Sequence, residues 1–272
     1  MPEARLSFDE AGGSGRPIVL VHGWCGNRSH MRALAQHLAS THRVFSVDLP
    51  GHGTTPLGDV APTFDGLAGG LAEFCRWRDL RDAVLVGHSM GGVVAVHVAG
   101  SCADRIAAVV NLDGALPPHA EGRAAYAALS REVSERGFRR AIEPFVRNAY
   151  FLPREAGPQA DALVSAMLAA PNEVAEALLA QFPGLDAAPV LAACRAPLLY
   201  VGSSRPRFDS AAVERLRPET WVARVAVSGH FVQVFALAQV VAMIEKFVAG
   251  IPAPARPAQE AFTRPPDHRR PR

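Results

Sequence analysis

Three residues far apart in the chain have the types and order needed for nucleophilic chemistry: Ser89 in GHSMGG (87–92), His230 in VSGHF, and an aspartate between them. A serine hydroxyl is a weak nucleophile at neutral pH and needs a base, itself oriented by a third group. Gly87-His88-Ser89-Met90-Gly91 reads G-x-S-x-G between the aliphatic run AVLVGHS and the helical pattern GGVVAVHVAG. In that setting flanking glycines permit a strained turn that lifts the serine into a crevice at a helix amino terminus, where free N–H groups favour developing negative charge. The plainer alternative is a glycine-rich turn with an idle serine. Among ten histidines, His230 is the candidate base, because it follows the last strand pattern and completes the chain order Ser, acid, His. His22 and His88, beside strand ends, read as residues that orient loops by hydrogen bonds.

Two aspartates fit the third position. Asp113 ends the strand pattern IAAVVNLD and is the preferred acid; Asp209, in SSRPRFD directly before SAAVERL, is the alternative, although Asp-Ser there also reads as a helix cap. Asp48 reads as a structural acid at a strand end and Asp82 as a surface charge. An oxyanion site needs two backbone N–H donors aimed at one point. Met90, after the serine, and Trp24, in the loop after IVLVHG, are the candidates. Trp24, His88 and Phe231 are the candidate substrate contacts.

These residues need a scaffold that gathers strand ends. Short aliphatic runs, IVLVHG (18–23), VFSVDLPGHG (44–53), AVLVGHS (83–89), IAAVVNLDG (106–114), PLLYVG (197–202) and ARVAVSGH (223–230), alternate with stretches of helical period. That is the pattern of an α/β protein with a doubly wound parallel sheet covered by helices on both faces, whose ligand crevice lies beyond the carboxyl ends of the strands. The alternation stops once, between about 115 and 195, where EGRAAYAALSREVSERGFRRAIEPFVRNAYF and QADALVSAMLAAPNEVAEALLAQFPG are helical only. We therefore expect a core of residues 1–114 and 196–250, a helical lid over 115–195, and a disordered Pro-, Ala- and Arg-rich tail over 251–272. In the lid, Tyr126, Phe138, Phe145, Tyr150, Phe151, Met167, Leu178 and Phe182 supply surface for an apolar pocket or for packing on the core.

Composition narrows the field. Of 272 residues 49% are hydrophobic and 20% charged, with a formal net charge of +2, the profile of one large globular domain with an insertion. Much of the basic excess sits in the tail, so neither nucleic acid nor an anionic membrane is expected as a partner. MPEARLSFDEAGGSGRP lacks the basic-then-apolar order of a secretory signal, and no apolar run approaches a bilayer's thickness, so the expected location is cytoplasmic. Cys25, Cys75, Cys102 and Cys194 lack CxxC spacing and accompanying histidines, so no metal, no disulfide framework and no cofactor are expected.

From about residue 16 to 250 the chain resembles the α/β-hydrolase fold superfamily, through HGWCGN (22–27), DLPGHG (48–53), GHSMGG (87–92) and SGHF (228–231). The resemblance implies a mostly parallel eight-stranded sheet with the lid inserted after strand six, a nucleophile at Ser89, a base at His230 and oxyanion donors at Trp24 and Met90. Relatives commonly carry their acid three residues after a glycine that ends strand seven; here Gly202 is followed there by Arg205. That departure favours Asp113, since a minority of the superfamily carries the acid after strand six. The expected activity is serine-dependent hydrolysis of an ester, thioester or lactone of a small to medium apolar or aromatic substrate through an acyl-enzyme. The alternative is a cofactor-free dioxygenase that cleaves a hydroxyquinolone-type ring with a His/Asp base. Such enzymes share the HGWC-like segment, but their serine context resembles SHSHGG rather than GHSMGG. A carbon-carbon hydrolase, a lyase and a non-catalytic binder on this fold are further readings.

Overall fold

The computed structural model describes residues 5–114, 116, 118–206 and 209–252; most of the tail expected to be disordered lies outside the described residues. Strands β1 (Phe8–Ala11), β2 (Pro17–Val21), β3 (Arg43–Val47), β4 (Ala83–His88), β5 (Ile106–Leu112), β6 (Leu198–Gly202) and β7 (Trp221–Arg224) form one sheet in the order β1-β3-β2-β4-β5-β6-β7. All neighbours pair in parallel except β1, which runs antiparallel to β3. The described residues thus contain seven strands, not eight. β1 is an edge strand reading FDEA, with three of its four residues exposed, and so carries no buried alternation to reveal it. The last strand also differs from expectation. It pairs over Trp221–Arg224 rather than 223–230, because as the other sheet edge it is largely exposed, and the apolar Val225 lies just past it.

The aliphatic runs are continuous because both faces of the sheet are buried. Ile18, Leu20, Val84, Val86, Ala108 and Val110 face α1 (Arg32–Leu38) on one side. Val19, Val21, Leu85 and Val109 face α2 (Phe64–Trp77) and α3 (Met90–Ser101) on the other. Helix α2 starts where the Thr63 hydroxyl accepts from Gly66 N at 3.0 Å, and it buries Phe64, Leu67, Ala68, Leu71 and Cys75, one stripe at three- and four-residue spacing. Helix α3 is buried on nearly all sides, as expected for a helix between the sheet and an outer layer.

Between β5 and β6 the chain forms α4 (Ala120–Arg136), α5 (Phe138–Tyr150), α6 (Pro158–Leu168), α7 (Asn172–Leu179) and α8 (Ala188–Ala193). The two long helical patterns are each split, at Gly137 and at Pro171. Helix α8 packs against α3 before the chain enters β6, so the last part of this insertion covers the core. Helices α9 (Ser210–Leu216), α10 (Val232–Phe235) and α11 (Leu237–Ala249) complete the fold, with α11 on the α1 side of the sheet. Asp82, expected as a surface charge, pairs with Arg16 Nε at 2.6 Å. Its partner also reaches the carbonyls of Ile251 and Pro252, tying the end of the last helix to the sheet. The four cysteines are buried and unbridged. No single helix among the described residues is long and apolar enough to cross a membrane, and no group of three or more His, Cys, Asp or Glu among them could hold a metal ion.

Candidate active site

Parallel pairing puts the carboxyl ends of β2, β4, β5 and β6 side by side, and the chemistry-bearing residues leave the sheet there. Ser89 joins β4 to α3 with φ +54° and ψ −119°, a conformation that a non-glycine residue holds only when its surroundings enforce it. Its N–H donates to Leu112 O at 2.9 Å, and its carbonyl accepts from Gly92 N at 3.0 Å. The turn closes this tightly because Gly91 lies against β2; a Cβ there would come to 2.4 Å from His22 O. The result is a serine over the first turn of α3, whose leading N–H groups have no partner within the helix.

Asp113 follows β5 directly, with φ +51° and its N–H donating to Val201 O at 2.8 Å. The carboxylate is fully buried. Its Oδ1 accepts from Ser203 N at 2.9 Å, and its Oδ2 lies 2.8 Å from His230 Nδ1. A carboxylate partner makes Nδ1 the protonated nitrogen, leaving Nε2 as the basic one, and His230 lines one cavity with Ser89. Asp209 is occupied elsewhere: its Oδ1 accepts from Ala212 N at 3.0 Å, capping α9. Arg205, at the position where relatives commonly carry the acid, is exposed.

The loop of His230 is fastened by the helical insertion. Its N–H donates to Tyr150 O at 2.7 Å, and the two rings lie 4.4 Å apart. Glu155 is 7% exposed and uses both carboxylate oxygens: Oε1 accepts from Gly229 N at 2.9 Å and Oε2 from Leu152 N at 2.8 Å. Gly229 admits this approach, since a Cβ there would stand 2.4 Å from Tyr150 O. From the core side, His88 Nε2 donates to His230 O at 3.0 Å, the orienting bond expected of His88. His22 acts alike in its own loop, donating from Nδ1 to Gly23 O at 2.8 Å and accepting from Leu49 N at Nε2, 3.1 Å away. Burial, with His52 nearby, holds its pKa well below the usual histidine value, so it stays neutral and can fill both roles. Asp48 is likewise structural, accepting from the backbone N–H groups of Arg28 and Thr54 at 2.7 and 2.9 Å.

The Gly23–Trp24 loop lies against the serine, with the Cβ position of Gly23 3.0 Å from Ser89 Cβ. Trp24 donates its indole N–H to Ala175 O of α7 at 2.9 Å and meets Phe138 and Phe182 edge-on. Trp24, His88, Ser89, His230 and Phe231 line one small cavity together with Gly23, His30, Tyr150 and Met167. It encloses only about 10 Å³, roughly the room one water needs, and Ser89 is 8% exposed. Of the expected apolar lining, Tyr150 and Met167 reach this cavity. Tyr126 stacks on Phe182 with centroids 4.7 Å apart, and Phe151 on Phe231 at 5.3 Å.

Sequence reasoning missed Ser203, Glu155 and His30. Glu155 sits in LPREAG and reads as a surface acid. Ser203 acts through its backbone, which leaves no mark in residue type.

The chain is 36% identical over 102 residues (38% of this chain, 28% of the relative) to the dihydrolipoyllysine-residue acetyltransferase component of the acetoin cleaving system of Pseudomonas putida. It is 31% identical over 147 residues (51% of this chain, 55% of the relative) to the pimeloyl-[acyl-carrier protein] methyl ester esterase of Chromobacterium violaceum. These matches span between about a quarter and little more than half of the relatives' own length. In three dimensions it is similar to a thermophilic esterase from Thermogutta terrifontis, with TM-score 0.77 and 25% identity, covering 90% of this chain and 93% of that one. Residues 18–243 match the alpha/beta hydrolase family, and the chain belongs to that family.

Proposed function

We propose that the protein is a serine hydrolase that cleaves an ester of a small to medium apolar or aromatic substrate through an acyl-enzyme, thioesters and lactones being related substrates. The observation that carries this reading is the 2.8 Å contact of His230 Nδ1 with the buried Asp113 carboxylate, in the same cavity as a serine on a strained turn. The esterases among the relatives support it; the cofactor-free oxygenase alternative draws no support from them.

In this mechanism Ser89 Oγ attacks the ester carbonyl carbon while His230 Nε2 takes the hydroxyl proton, and Asp113 stabilises the imidazolium and fixes its tautomer. The oxyanion is held by the N–H groups of Met90, at the first position of α3, and of Trp24, in the loop against Ser89. Collapse of the tetrahedral intermediate expels the alkoxide, which takes the proton from His230 and leaves as the alcohol. A water deprotonated by the same nitrogen then attacks the acyl-serine, and the proton returns to Ser89 as the acid departs.

The insertion serves as a lid in this reading. A cavity of about 10 Å³ holds no ester, so substrate enters when α5–α7 move away from the strand ends. An open groove of about 620 Å³ between residues 51–57 and 171–174 adjoins Ala175, the residue that anchors Trp24, and is the approach we favour. The test is hydrolysis of short-chain acyl and aryl esters by the purified protein and by Ser89→Ala. Turnover that disappears in the variant supports the proposal; turnover retained in full overturns it.

A further inference from the structure

His30 lies in the 3-10 turn Arg28–Met31, just after the Gly23–Trp24 loop. It is 6% exposed and lines the cavity with Ser89, Trp24 and Phe231. The Nδ1 edge of its ring faces Gly26, where a Cβ would come to 2.9 Å, and the ring meets Phe231 at 81° with centroids 6.0 Å apart. Nε2 is enclosed and has no hydrogen-bond partner among the described residues. An apolar residue of similar size would fill the site without the cost of an unmade hydrogen bond, so the imidazole calls for a function.

We propose that His30 Nε2 hydrogen-bonds a neutral hydroxyl or oxo group carried by the substrate within a few bonds of the ester carbonyl, which makes His30 a specificity-determining residue of the Ser89 site. This rests on the ester-hydrolase reading above. Burial lowers the His30 pKa to about 4 despite the nearby Asp48, so the ring is uncharged at neutral pH. An uncharged imidazole can donate to or accept from a neutral group but does little to offset burial of a carboxylate.

The test compares matched esters at neutral pH. Methyl 3-hydroxybutanoate and methyl 3-oxobutanoate against methyl butanoate place the polar group on the acyl side; 2-hydroxyethyl butanoate against propyl butanoate places it on the alcohol side. The native protein should favour the polar member of at least one pair by about tenfold in kcat/KM. The ratio should fall to near one in His30→Leu and be largely kept in His30→Gln, which retains a donor and an acceptor. His30→Phe, closer to the ring's volume, replaces the leucine variant if that fails to fold. Absence of preference in the native protein, or a ratio unchanged without the imidazole, overturns the proposal, as does an equal loss on polar and apolar esters. Calorimetric titration of Ser89→Ala with the same esters, with and without His30→Leu, reads the contact without turnover. A tenfold difference in Kd that depends on His30 sustains it even if hydrolysis is absent; equal Kd values overturn it even if hydrolysis is present.

Discussion

Ser89 and Asp113 are held by the sheet, whereas His230 is held jointly by the core and the helical insertion. The serine N–H bonds to Leu112 O and the aspartate N–H to Val201 O, so both are placed once β4, β5 and β6 pair. His230 takes its position from Tyr150 O and, through Gly229, from Glu155, with Asp113 and His88 on the other side. The proposed nucleophile and acid therefore take their positions from the core alone, whereas the proposed base also takes bonds from the insertion. If the insertion serves as the lid we propose, its opening would also loosen the proposed base and couple closure to catalytic competence.

Changes on the sheet side should be the most severe. Ser89→Ala is expected to lower kcat by at least about 10³-fold with the fold intact. Asp113→Asn should cost about 10²–10⁴-fold in kcat, while Asp209→Ala, which removes only the α9 cap, should leave kcat within about twofold and cost about 1 kcal/mol of stability. Steady-state kinetics with thermal melts separate the two aspartates, and a reversed ranking would return the role of acid to Asp209.

On the insertion side the effects should be smaller and of another kind. Glu155→Gln replaces one acceptor by an amide NH₂ facing a backbone N–H. It should lower kcat about tenfold and increase amide exchange at residues 228–230, at about 1–3 kcal/mol; kinetics and hydrogen exchange would show whether the insertion fastens the base. Trp24→Phe removes the hydrogen bond to Ala175 and should change KM about two- to tenfold with a lesser change in kcat. An equal effect of Glu155→Gln and Asp113→Asn would erase the contrast between the two sides.

The pH dependence of stability should have the least effect near neutrality. Burial lowers the pKa values of His22, His30 and His52, that of His30 to about 4, against the usual 6.5. Between about pH 6.5 and 4 the unfolded chain therefore binds more protons than the native one. Their contribution to stability is complete above pH 6.5 and declines as pH falls below it, that of His30 being lost as pH falls toward 4, which proton uptake on unfolding measures directly.

The same contrast explains what could be read from residue order. Strand-end chemistry is local. Gly87-His88-Ser89-Met90-Gly91 carries its turn in its own glycines, Asp113 ends an aliphatic run, and the chain order puts His230 last, so all three candidates can be picked out from residue order. The arginine at position 205 was legible too, as a displaced acid. The insertion's part was not, because Glu155 and Tyr150 act through contacts with residues about eighty positions away, and a carboxylate in LPREAG looks the same exposed or buried. His30 stands in a short polar turn whose pattern says nothing of the cavity it faces. Edge strands were the weakest elements for a related reason: β1 and β7 are exposed, so no buried face imposes a pattern on them.

The central claim is that Ser89 is the residue acylated during turnover. Reaction of the native protein with an alkyl fluorophosphonate, followed by intact mass and peptide mapping, tests it most directly. The account predicts one adduct per chain, located on Ser89, with ester hydrolysis lost in step with labelling and no adduct in Ser89→Ala. An adduct on another residue, or hydrolysis that survives complete labelling of Ser89, would contradict it.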